Sequence, residues 1–197
     1  MEKLTLFLPI IVVWLAILLF FYIYRIRVFY FIWGSVGLAL IMAFMLQNTT
    51  VEYRLSQLAI GILTSINQML GIPVVPFQAA GTILMTGTQI SGYTSLEVGT
   101  ECSGLLEISV YLGLAVFYPV LRRQKKVYAL VVGSALIFII NIVRVELIIA
   151  AVYYWGRNAI FIAHTILGRG VFFLLMLMLY WFFFTKRTMF FLNKQGN

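Results

Sequence analysis

Apolar runs of about twenty residues recur five times along this chain, and they limit its fold more than anything else in it. They cover about residues 4–24, 28–47, 102–121, 127–152 and 162–184. A helix rises about 1.5 Å per residue, so each run matches the roughly 30 Å of a bilayer's hydrocarbon core. Of the 197 residues, 63% are hydrophobic and 10% charged. A soluble domain carries about a quarter charged residues, and a surplus this large cannot be buried in one small core. It must face lipid. The expected fold is therefore an all-α, multi-pass membrane protein forming a single membrane domain over residues 1–197. The first run is too long for the apolar region of a signal peptide and lacks a small-residue cleavage site, so it reads as a retained helix.

The net charge of +8 does not point to nucleic acid, because the basic residues sit in short clusters between apolar runs. Arg25 and Arg27 follow the first run, Arg122, Arg123, Lys125 and Lys126 the third, and Lys186, Arg187 and Lys194 the fifth. Basic clusters mark cytoplasmic ends. The five spans then alternate with the N-terminus outside the cell membrane and the C-terminus in the cytoplasm. The chain has no Asp, one Cys and one His. That poverty excludes sites built from several such ligands, so neither a metal nor another cofactor is expected. An internal disulfide is impossible.

Residues 48–101 form an interruption that reads as extracytoplasmic and interfacial. Val51, Leu55, Leu58, Ile62, Ile66 and Met69 recur at steps of three and four, as in a helix lying in the outer interface. A weak sixth span over Leu58 to Val75 is the competing reading, and Arg25 and Arg27 argue against the inversion it would bring. Pro73, Pro76 and four glycines then punctuate a stretch rich in Thr, Ile, Val and Tyr. Two short strands, about Thr82 to Thr86 and Ser91 to Val98, are expected to pair as a hairpin.

Ionisable groups inside a membrane are costly, and each is a functional hypothesis by default. Here they are Glu107, Arg144, Glu146, His164 and Arg169, with the lone Cys102 at a helix start. Counting from the cytoplasmic end of each span puts Cys102 at roughly 28 Å, Arg144 at roughly 26 Å and His164 at roughly 30 Å. Three helices thus deliver a thiol, a guanidinium and an imidazole to one layer near the outer face. Each has a plainer reading: a small buried hydrophobe, a snorkelling cation, a satisfied interfacial ring. Together they suit acyl transfer, in which a base activates a thiol and a fixed donor stabilises an oxyanion. Glu107 and Arg169 each lie five residues inward of this layer. They are expected to pair across neighbouring third and fifth helices, with Glu107–Arg144 as the alternative.

The segment Leu96-Glu97-Val98-Gly99-Thr100-Glu101-Cys102-Ser103-Gly104-Leu105 resembles the Cys motif of the exosortase/archaeosortase family. Asn141-Ile142-Val143-Arg144 is similar to that family's Asn-x-x-Arg, and His164-Thr165-Ile166-Leu167-Gly168 with Phe172 to its His motif. The three motifs stand in family order over about residues 80–184, and the small size is closest to the short XrtG-type exosortases. The resemblance implies a membrane-embedded cysteine transpeptidase or protease with Cys102 as nucleophile, Arg144 as oxyanion or orienting residue and His164 as acid/base. Ser103, Gly104, Glu107, Asn141 and Arg169 would support them. It further implies exported protein substrates, each with a C-terminal sorting signal, cleaved at the outer membrane face through a thioester. A non-enzymatic membrane scaffold and a small transporter subunit are the rival readings, and thiol reactivity separates them from the enzyme.

Overall fold

The structure is a computed structural model and describes residues 2–78, 82–88, 92–97, 103–119 and 123–186. It is a mostly helical, multi-pass membrane fold with one small sheet. Helix α1 (Glu2–Ile23) and helix α2 (Arg27–Leu46) form an antiparallel hairpin, turned at Arg25, whose φ of 55° lies in the left-handed region. The indole N–H of Trp14 donates to the Trp33 carbonyl at 3.1 Å across this pair. Among the described residues, three helices are both long and apolar enough to cross a membrane: α2, Gln124–Trp155 and Ile160–Thr185. Leu105–Phe117 is a shorter apolar helix, and the Leu8–Ile23 part of α1 is apolar as well.

Helix α3 (Thr50–Leu70) occupies the stretch read as an interfacial helix. Its protein-facing residues are Glu52, Ser56, Ala59, Ile60, Leu63 and Asn67, a mixture of small, polar and apolar side chains. Most of the apolar stripe that announces the helix in the sequence points outward, with Leu58 and Met69 59% and 89% exposed, while Ile66 packs partly against the core. Such an arrangement suits a surface in contact with lipid, where apolar side chains need no protein cover and small residues allow close packing.

The segment after α3 is a three-stranded antiparallel sheet, β1 (Val74–Gln78), β2 (Thr82–Thr88) and β3 (Gly92–Glu97), in the order 1-2-3. The sequence reading expects two strands and misses β1, because Pro73 and Pro76 look like breakers. Proline lacks a donor, but on an edge strand one side of the ladder makes no bonds. Pro76 lies on that edge, opposite Leu84. Ser91 and Val98, the outer limits expected for the last strand, lie outside the described residues.

The third apolar run yields only a 13-residue helix, α4 (Leu105–Phe117), inside the expected 102–121. Two local causes shorten it. Gly104 takes φ 75°, which is not helical, and Pro119 disfavours helical backbone at Tyr118, which turns to ψ 118°. Helix α4 packs closely on α2: a Cβ added at Gly113 would lie 2.4 Å from the Ser35 carbonyl oxygen. Helix α5 (Arg123–Trp155) runs for 33 residues, and the last helix, α6 (Ile160–Thr185), contains π-helical turns over Ala163–Gly168 and Trp181–Thr185.

Helix α5 is the mast of the fold. One apolar cluster joins Leu63 of α3, Val74 and Leu84 of the sheet, and Ile142, Val145 and Ile149 of α5. A second joins α4, α5 and α6 around Tyr111, which is fully buried and donates its hydroxyl hydrogen to the Ala129 carbonyl at 2.8 Å.

Candidate active site

Arg144 is at the centre of the polar residues in the core. It lies on α5 with 5% of its surface exposed. Its Nη1 is 3.8 Å from Glu107 Oε1 on α4, and its guanidinium carbon stands 5.3 Å from the centre of the Phe172 ring on α6. One charged group thereby touches the helix that follows the Cys motif and the helix that carries the His motif. An unpaired charge at membrane depth costs about 2.5–3.5 kcal/mol or more, which the carboxylate and the aromatic face both reduce.

Asn141 lies three residues before Arg144 and so shares its side of α5. It is fully buried. Gly104 comes up against it: a Cβ added to Gly104 would sit 3.4 Å from Asn141 Cβ and 3.5 Å from Nδ2. Ser103, also fully buried, accepts the Leu105 N–H through Oγ at 3.3 Å, while the Gly104 carbonyl accepts the Ile108 N–H at 3.0 Å. The first bond satisfies an N–H that the first turn of a helix leaves open, and the second is the first regular bond of α4. Cys102 itself lies outside the described residues. Its neighbours Ser103 and Gly104 put the chain that follows it directly on the Asn-x-x-Arg motif.

His164 is half-buried in the first π-helical turn of α6. Insertions of this kind occur often at functional sites because they redirect side chains within a helix. Ala163 beside it is buried in a cluster with Ile148, Ala151 and Val152 of α5, and Leu96 of β3 packs against that cluster. Leu96 opens the Cys motif, so the described parts of all three motifs gather about α5.

A cavity of about 600 Å³ opens between α4, α5 and α6. Glu107, Arg144 and Arg169 supply its charged lining, and Val110, Phe172 and Met176 part of its apolar wall. The expected neighbourhood of the third and fifth helices is present in this wall. Of the two partners the sequence offers, the carboxylate pairs with Arg144 and not with Arg169. Arg169 is exposed and among the described residues makes no ion pair. Equal depth alone cannot choose between two arginines, whereas helix adjacency can.

Sequence reasoning missed Asn67. This fully buried α3 residue donates from Nδ2 to Glu146 Oε2 at 2.8 Å. Glu146 was visible as an intramembrane acid, but its partner lies 79 residues away in a segment whose outward apolar stripe draws attention from the buried face. The π-helical turn at His164 has no sequence signal comparable to a proline or a cap.

The family model described as transmembrane exosortase (Exosortase_EpsH) matches residues 2–181. The protein belongs to the transmembrane exosortase family, and its general role is that of a membrane transpeptidase-type protein acting in protein sorting. No curated protein and no solved structure matches it.

Proposed function

We propose that the protein is a membrane-embedded cysteine transpeptidase that cuts the C-terminal sorting tails of exported proteins. The observation that carries this reading is the close approach of Gly104 to Asn141, next to the Arg144–Glu107 pair. It gathers the flank of the only cysteine and the only buried guanidinium among the described residues on one face of α5.

The Cys102 thiolate attacks the carbonyl carbon of the scissile peptide, and the carbonyl electron pair moves onto oxygen. Arg144 stabilises that oxyanion. Its guanidinium has five N–H donors in a rigid fork, the geometry that suits an oxyanion. His164 takes the thiol proton and gives it to the departing amine of the tail, leaving a thioester on Cys102. An incoming amine or water loses its proton to His164, attacks the thioester and releases the acyl group. The thiolate is then restored as the leaving group and recovers its proton from His164. Glu107 and Asn141 hold Arg144 in place, and Ser103 and Gly104 fix the start of α4.

The substrate is an exported protein with a short C-terminal motif, one apolar span and a basic tail. A basic tail stays in the cytoplasm and the apolar span stops in the bilayer, so the scissile bond waits at the outer face. The N-terminus lies outside and the C-terminus inside in this account. Replacing Cys102 by Ala tests it: processing of a tail-bearing substrate stops while the protein remains inserted. Normal processing by that variant would leave the scaffold reading in its place.

A further inference from the structure

Glu146 is the only acidic side chain on α5, and the chemistry above does not use it. It lies two residues beyond Arg144, about 200° round the helix. Arg144 therefore lines the cavity while Glu146 turns toward α3. There it accepts the hydrogen bond from Asn67, whose Nδ2 also donates to the Leu63 carbonyl at 2.8 Å. The backbone of Asn67 has a second task. Its carbonyl accepts the N–H of Ile72 at 2.9 Å and that of Gly71, closing α3 where the chain turns into the sheet. A single buried residue thus grips α5 with its side chain and launches β1 with its main chain.

We infer that Glu146 is a positioning residue: held by Asn67, it sets the register of α3 and the sheet on α5, and so fixes where the chain delivers Cys102. The inference rests on the proposed role of Cys102 as nucleophile. Strand β3 ends at Glu97, five residues before Cys102, and Ser103 and Gly104 follow it. Five residues can reach about 17 Å, so the thiol is located only if both flanks are fixed. Both flanks rest on α5. Downstream, Gly104 meets Asn141. Upstream, the sheet is seated by Leu84 and Val74 against Ile142 and Val145. Apolar contacts of that kind tolerate sliding, because they have no preferred direction. A hydrogen bond does not, since it weakens steeply away from its distance and angle. The Asn67–Glu146 bond is the directional element described at this junction.

The plainer account is that Asn67 merely satisfies a buried carboxylate. The two differ in what they predict for folded molecules. Glu146→Ala and Asn67→Ala remove the bond, whereas Glu146→Gln keeps an oxygen acceptor for Asn67 Nδ2 without the charge. Each variant is purified in detergent, its folded Cys102 thiol is titrated, and kcat and KM for a tail peptide are measured per thiol. Backbone hydrogen exchange of residues 74–97 is followed in the same samples. Glu146→Ala and Asn67→Ala are expected to lower kcat at least tenfold with KM within twofold, and to speed exchange of the sheet amides several-fold. Glu146→Gln should hold both measures within about threefold of the native protein. Native kcat in Glu146→Ala would overturn the inference, as would a rise in KM alone. So would Glu146→Gln behaving like Glu146→Ala, because the charge rather than the hold would then matter. The exchange measurement does not depend on catalysis. If Cys102→Ala proves fully active, the enzymatic reading fails, while unchanged sheet exchange in Glu146→Ala and Asn67→Ala would separately overturn the lock.

Discussion

Gly104 faces Asn141 across the start of α4, close enough that a Cβ added to the glycine would lie 3.4 Å from Asn141 Cβ, in ordinary contact. The glycine has φ 75°, a conformation that costs other residues about 1–3 kcal/mol. The position therefore favours glycine for its backbone, while a side chain there would meet Asn141 only at ordinary contact distance. Gly104→Ala should insert normally yet lower processing at least tenfold, since about 1.4 kcal/mol of misplacement corresponds to that factor. Membrane content and cleavage of a tagged substrate, measured in the same cells, check this. Activity within twofold of native would show that the left-handed backbone at Gly104 does not position the site.

The Arg144–Glu107 pair should be visible in stability as well as in activity. Breaking a buried pair from one side costs about 3–5 kcal/mol, because it leaves the other charge uncompensated. Arg144→Gln and Glu107→Gln should each lower the unfolding midpoint in detergent, and the double variant should lose clearly less than their sum. Arg169→Gln should change the midpoint little, since that side chain is exposed. Additive losses at 107 and 144 would contradict the pairing.

How far the sequence reaches is seen in helix α3 and at these two arginines. The apolar runs and basic clusters suffice for a multi-pass helical fold, because bilayer thickness sets helix length directly. Periodicity finds α3 as well, but not which way it faces. In water an apolar stripe turns inward, and beside lipid it can turn outward, leaving Asn67 and Glu52 on the buried side. Strand β1 is hidden by Pro76, whose tolerance depends on an edge that only the folded sheet defines. At the site, the motifs identify Ser103, Gly104, Asn141 and Arg144 as a group. The choice of Arg144 over Arg169 as the partner of Glu107 requires knowing which helices adjoin.

Orientation is tested by reporters. A phosphatase that is active only outside the membrane should work when fused near Gly87 and be silent when fused at Lys194. The basic residues after the first, third and fifth apolar runs set this expectation. The opposite pattern would put the thiol on the cytoplasmic face.

Thiol labelling probes the site from outside. Cys102 is the only cysteine, so any label reports on it alone. A membrane-impermeant maleimide should react with it in intact cells, and His164→Ala should slow the reaction, because an imidazole that takes the thiol proton raises the thiolate fraction. Equal rates in the native protein and His164→Ala would remove His164 as the activating base.

Cleavage of the C-terminal tails of exported proteins by Cys102 is the proposed activity on which the rest depends. Mass spectrometry of C-termini, comparing cells that carry the native protein with cells that carry Cys102→Ala, tests it most directly. Native cells should contain a set of exported proteins that end before an apolar span. In variant cells the same proteins should keep that span and stay in the membrane. Identical C-termini in the two cell populations, with both proteins present at equal levels in the membrane, would contradict it.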